Sequence, residues 1–130
     1  MEKYFNSISV AIGIAGGFVC KHLGGWDMLL GVLVTLVVLD YCTGVLKSIY
    51  NKELSSAVGY RGIIKKVFLF IVIATAYEIQ KVTGNSIALR EMTLIFFITN
   101  EAISLLENAS EFIPIPEQLK SVLVQLRDKK

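Results

Sequence analysis

Three long apolar runs, each with a carboxylic acid inside it, constrain this chain more than any other feature. They cover roughly residues 26–46, 63–80 and 87–109, and the acids are Asp40, Glu78 and Glu101. A helix needs about 20 predominantly apolar residues to cross the hydrocarbon core of a bilayer, and each run is close to that length. An unpaired carboxylate at membrane depth costs at least ~2.5 kcal/mol, so such residues face a partner, a bundle interior or water. A short, largely membrane-embedded chain with buried acids is expected to be a pore or transport device rather than a soluble enzyme.

Of the 130 residues, 54% are hydrophobic and 18% charged, whereas soluble domains are about 45–50% apolar and ~25% charged. The excess lies in long runs and not in alternating strands, which assigns it to lipid. The expected fold class is all-α: a polytopic membrane helical protein with three to four transmembrane helices plus a short amphipathic C-terminal helix. Pro114 and Pro116 are the only prolines and mark the one convincing linker. They divide a membrane-spanning helical domain, residues 1–113, from a basic amphipathic cytoplasmic tail, residues 114–130. The N-terminal apolar stretch has no small-x-small cleavage site and reads as retained. A net charge of +2 is too small to imply nucleic acid. Cys20 and Cys42 are too few for a disulfide framework and read as small membrane-helix residues.

The first segment, residues 4–20, is apolar but weakened as an isolated helix by its glycines. Ser9, Gly13 and Gly17 recur at every fourth position, a candidate small-residue ridge for close helix packing in lipid. The segment either spans the membrane or lies along the interface. Trp26 opens the second segment, as suits the headgroup boundary. Residues 47–62 read as a polar connection with turn and cap residues Asn51, Ser55, Ser56 and Gly59. The third segment starts at Ile63 with Lys65 and Lys66 at its mouth.

The fourth segment has Arg90 and Glu91 in its early turns and is the most amphipathic of the membrane segments. Asn100, Ser104 and Glu107 stack at spacings of four and three, and Glu101 and Asn108 border the same face. Ile95, Phe96 and Phe97 lie away from it. Beyond Pro116, Leu119, Val122, Leu123 and Leu126 recur at helical spacing among Lys120, Arg127, Lys129 and Lys130. That tail suits an anionic membrane surface or a neighbouring subunit.

If all four segments span, Lys3, the basic cluster of residues 47–66 and the tail share one side, leaving Lys21, Lys81 and Arg90 on the other. Lys/Arg excess marks the cytoplasmic face, so both termini are expected inside.

Catalysis is not expected. His22 is the only histidine and reads as structural or solvated, the cysteines lack zinc spacing, and no phosphate loop or nucleophile motif occurs. No cofactor or metal is expected. Asp40 is expected to form an intramembrane ion pair with Lys65 or Lys66, which meet it near the end of a helical hairpin, or else to face water. Glu78 lies near a helix end and can reach the interface. Glu101, with Asn100, Ser104, Glu107 and Asn108, forms a candidate pore or oligomer face that either bonds equivalent helices or lines water. Its alternative is an internal contact with Arg90 or with a polar residue of another segment.

Residues 40–66, DYCTGVLKSIYNKELSSAVGYRGIIKK, resemble the central motif of the toxin-secretion and phage-lysis holin family, through Asp40, Thr43-Gly44, Leu54-Ser55-Ser56, Gly59, Gly62 and Lys66. NEAISLLENA, residues 100–109, is similar to that family's NE-x-x-S-x-x-EN pattern, and IPIPEQL to its hinge before a short tail. The resemblance implies a small phage- or prophage-encoded protein of the bacterial cytoplasmic membrane, usually with about three spans. Such a protein oligomerises and opens lesions at a programmed moment, releasing an endolysin or a protein toxin as cargo without binding it specifically. Its expected partners are the lipid bilayer and further copies of itself. An antiholin-like inhibitory partner and a small proton-coupled exporter using a buried glutamate are the competing expectations.

Overall fold

A computed structural model describes residues 1–128, which form five helices and no strand. These are α1 (Glu2–His22), α2 (Met28–Tyr50), α3 (Ser56–Val82), α4 (Leu89–Ser110) and α5 (Glu117–Asp128). Lys129 and Lys130, two of the predicted tail cations, lie outside the described residues.

The helices run further than the apolar runs that announce them. The stretch expected as a connection over 47–62 is mostly helical: α2 continues to Tyr50 and α3 begins at Ser56. Apolar runs report which part of a helix meets lipid, whereas helix ends are set by caps, and Ser55 provides one by accepting a hydrogen bond from the Val58 amide at 3.2 Å. Lys65 and Lys66 therefore stand well inside α3 rather than at its start. Asp27 caps α2 in the same way, accepting from the Leu30 amide at 2.9 Å.

Helices α2, α3 and α4 form an antiparallel bundle in which α4 is central. It packs extensively on α2, less on α3, and also against α5, while α2 and α3 touch each other little. Leu30, Leu33, Ile73 and Leu94 are fully buried where the three helices meet, with Val37 and Leu69 beside them. In lipid such side chains hold helices by close packing, since moving them out of the core would not expose them to water. The outward faces stay apolar: Ile63, Val67, Phe68, Ile71 and Val72 on α3, and Val32, Val38 and Leu39 on α2, are exposed.

Helix α1 stands apart. It makes a small contact with α3 and buries none of its residues. By length and composition, α1 and α2 are the two helices fit to cross a membrane. Helix α3 is interrupted by Arg61, Lys65, Lys66, Glu78 and Lys81, and α4 by Arg90, Glu91, Glu101 and Glu107. Length and composition thus support two spans of the expected three to four, because charge tied up between helices still lowers the apolarity of its own segment.

Candidate functional site: a charge cluster among three helices

The polar residues of α2, α3 and α4 converge on one ammonium group. Lys66 Nζ donates to Asp40 Oδ2 at 2.8 Å and to Glu101 Oε2 at 2.5 Å. The three side chains are largely shielded, at 21%, 8% and 10% exposure for Lys66, Asp40 and Glu101. Asn108, two turns along α4 from Glu101, closes the group: its Nδ2 donates to Asp40 Oδ1 at 3.0 Å and to Thr43 Oγ1 at 3.1 Å. Two carboxylates and one ammonium leave the cluster one negative charge in excess.

A cleft of about 340 Å³ opens on the cluster among α2, α3 and α4, toward the end carrying the 51–55 connection, with Asp40, Lys66, Ser48, Lys65, Ser104 and Asn108 in its wall. Tyr41 props it. Its ring lies against α3 where Gly62 leaves room, since a Cβ there would approach the ring to 3.1 Å. Its hydroxyl donates to the Gly59 carbonyl at 3.3 Å. Gly59, expected as a turn residue, is thus a helical residue beside a tyrosine socket. Lys65 reaches the cleft wall and is exposed, with no ion pair among the described residues.

A second polar site lies at the opposite end of the bundle, built on Arg90. This residue is only 2% exposed. Its Nε donates to the Leu23 carbonyl, one terminal nitrogen to Gly25 O at 3.0 Å and Asp27 Oδ1 at 3.2 Å, and the other to Asp27 Oδ2 at 2.8 Å. The backbone amide of Arg90 donates to Gln80 Oε1 at 2.8 Å, so one residue ties the α1–α2 turn to the ends of α3 and α4. Gly24 has φ +95°, and a Cβ there would collide with the Arg90 side chain. The Arg90 hydrogen bond, aided by the Leu30 amide, holds the Asp27 carboxyl below its ordinary value against a smaller opposing effect of burial.

The predicted polar face of α4 is divided by these contacts. Glu101 and Asn108 turn into the bundle, Ser104 lines the cleft, Glu107 is exposed, and Asn100 is half-buried with no hydrogen bond among the described residues. Arg90 is committed to Asp27 and not to Glu101. Phe97, expected away from the polar face, packs against the core. Glu78 is exposed and pairs with Lys81 at 3.0 Å. Ser9, Gly13 and Gly17 are all exposed, and added Cβ atoms at the two glycines would meet nothing within 4 Å. In the tail, Lys120 is half-buried and Arg127 exposed.

Sequence reasoning missed the Arg90–Asp27 clamp; for Glu101 it offered an internal contact with a polar residue of another segment as the alternative, without pointing to Lys66 as that residue. For the first, Gly24-Gly25 and Asp27 signal a turn and a helix cap, but nothing in that pattern points to Arg90. For the second, no local pattern pairs residues 35 apart.

A family model for the bacteriophage holin family matches residues 17–128. The chain belongs to that family. The holin match takes in the whole of α2, α3, α4 and α5, hence Asp40, Lys66, Glu101, Asn108 and Arg90, but begins near the end of α1, leaving Ser9 and Gly13 outside it. The family is not one of enzymes. Among curated relatives, an uncharacterized 14.9 kDa protein in the nagH 3′ region of Clostridium perfringens is 39% identical over all of both chains. An uncharacterized Listeria innocua protein is 40% identical over 90% of this chain and 86% of its own length. A probable holin of Bacillus phage phi105 is 31% identical over 73% of this chain and 71% of its own. No solved structure matches. Holin membership and the two apolar helices mark a membrane protein.

Proposed function

We propose that the chain is a holin that oligomerises in the bacterial cytoplasmic membrane and opens timed pores or lesions, releasing an endolysin or a protein toxin and leading to host lysis. The observation carrying this reading is the Asp40–Lys66–Glu101 cluster, which holds the polar side of α4 inward against α2 and α3. In the closed chain those polar groups satisfy one another. In an assembly, α4 releases Glu101 and Asn108 and turns them, with Ser104, toward water that the lesion admits, where they join Glu107, which is already exposed. Asp40 lies about 20 Å along α2 from its Asp27 cap, deep in a bilayer whose boundary is at Trp26, so release without water would be costly.

The Arg90 clamp, with its donors filled by the Asp27 and Glu91 carboxylates and by the Leu23 and Gly25 carbonyls, is the fixed end of this movement. The Lys66 end adjoins a cleft, and the Lys66 side chain is 21% exposed where that of Arg90 is 3%, so it is the end that opens. Three or four spans fit the alternation of turns, with both termini cytoplasmic in the four-span case. Residues 1–113 then form the membrane domain and residues 114–130 the tail, with Lys120, Arg127, Lys129 and Lys130 toward the inner surface. Glu101's commitment to Lys66 weighs against the exporter reading, which needs a free proton carrier.

The test is inducible expression of the chain alone in a bacterium, following membrane potential together with release of a folded cytosolic reporter enzyme. Abrupt depolarisation with enzyme release supports a large-lesion holin. Depolarisation that retains the enzyme reduces the reading to a small pore. A stable potential with normal growth refutes autonomous lysis and favours the inhibitory partner.

A further inference from the structure

At about 100° per residue, the polar positions of α4 fall on two adjacent stripes. Arg90, Glu101 and Asn108 share the first, which faces into the bundle and is filled by partners from the other helices. Thr93, Asn100 and Glu107 share the second. Thr93 is satisfied by its own helix, its hydroxyl donating to Leu89 O at 2.7 Å. Glu107 is exposed near the C-terminal end, within reach of the interface. Asn100 has neither outlet. It stands mid-helix, is only half-buried, and makes no hydrogen bond among the described residues.

A primary amide carries two donors and an acceptor, and neither lipid nor hydrocarbon-facing side chains can satisfy them; each unsatisfied group at membrane depth is expensive. The amide is also complementary to itself. Two copies brought face to face can each donate to the other's carbonyl, as paired asparagines do inside coiled coils. Thr93 and Ser104, on or beside the same stripe, are small enough to let two α4 helices approach.

We infer that the Asn100 face of α4 is where a second copy of this chain docks in the closed state, with Asn100 of each copy bonded to Asn100 of the other. This deepens the holin reading by naming a first self-association contact. It requires α4 to lie in the membrane but does not require that the assembly ever opens. The cluster at Lys66 remains intact in each copy, because it occupies the other stripe.

The test uses the full chain with Cys20→Ala and Cys42→Ala, carrying either Thr93→Cys, on the Asn100 stripe with Asn100 left in place, or Ile95→Cys, on an exposed position well round α4. Membranes are oxidised before any lysis, and disulfide-linked dimer is quantified. Several-fold more dimer from Thr93→Cys is expected. Equal yields, or labelling of Thr93→Cys by a membrane-impermeant thiol reagent without cross-linking, would overturn the contact, the second outcome assigning the face to water. Independently, energy transfer between labelled full chains in vesicles should show self-association weakened roughly eight-fold or more by Asn100→Leu, the loss of two membrane hydrogen bonds at about 0.6 kcal/mol each, and retained by Asn100→Gln. Equal association of all three overturns the inference even where a cysteine variant misfolds. A chain that cross-links through Thr93→Cys yet never lyses keeps the contact and sinks the holin reading, so the two fail separately.

Discussion

Replacing Lys66 with methionine is the sharpest test of the charge cluster, because its outcome depends on charge balance rather than on a count of contacts. Lys66 Nζ lies 2.8 Å from Asp40 and 2.5 Å from Glu101, and neither carboxylate side chain exceeds 10% exposure. At an effective dielectric near 20, opposite charges about 3 Å apart attract by roughly 5–6 kcal/mol, most of which offsets the cost of removing them from water. The net loss on deleting one partner of a buried pair is about 3–5 kcal/mol. Lys66→Met leaves two carboxylates facing each other, so the full loss is expected. Asp40→Asn or Glu101→Gln instead leaves one neutral pair, and about 1 kcal/mol is expected for either, the value of a hydrogen bond. The triple variant Asp40→Asn/Lys66→Met/Glu101→Gln carries no charge in the cluster and should recover most of the loss. Unfolding in mixed micelles on titration with a denaturing detergent, followed by Trp26 fluorescence, ranks the four variants. Wild-type stability in Lys66→Met, or greater damage from Glu101→Gln than from Lys66→Met, would refute the charge-balance argument.

Four further outcomes follow from other parts of the chain. Asp27→Asn keeps a good helix cap while removing the charge paired with Arg90. Because the folded carboxyl is held below its unfolded value of about 3.9, its stabilisation is present above that pH and vanishes as pH falls through the lowered value. Wild type should therefore exceed Asp27→Asn by about 1 kcal/mol at neutral pH, discounted for the 46% exposure of Asp27, and the two unfolding curves should converge in acid. Gly24→Ala should destabilise the α1–α2 turn by about 1–3 kcal/mol through its positive φ and the collision with Arg90; a thermal midpoint equal to wild type would refute the clamp. Gly13→Leu meets open space, so monomer stability in detergent should stay within about 0.5 kcal/mol; altered assembly with unchanged monomer stability assigns the Ser9–Gly13–Gly17 ridge to contacts between chains. Truncation before Lys120 should shift the onset of lysis if the basic tail restrains assembly, and superimposable lysis curves would exclude that role.

The sequence announced the helices through their apolar runs but not their ends, and the reason is visible at residues 47–62. Polar side chains there leave the lipid while the backbone remains helical, and only Ser55 carries the local chemistry of a helix start. The candidate site was legible in its ingredients. Asp40 and Lys66 belong to a hairpin, so their meeting is a short-range consequence of α2 turning back into α3, and either Lys65 or Lys66 satisfied that spacing. Choosing between them required the rotation of α3 about its axis, which the glycines at 59 and 62 help set by admitting Tyr41. By spacing along one helix, Glu101 and Asn108 border the face that carries Asn100, Ser104 and Glu107. Yet a turn of about 100° is enough to carry Glu101 into the cluster and leave Asn100 outward. Arg90 shows the same limit more strongly: its partners come from residues 23–27 and 80, and no spacing along the chain brings those together. What periodicity encodes is the face of one helix. Which face meets which is decided by how three helices pack, and here α4 in the centre must satisfy both neighbours at once. Its two polar stripes are the result, one spent inside the chain and one left for a second copy.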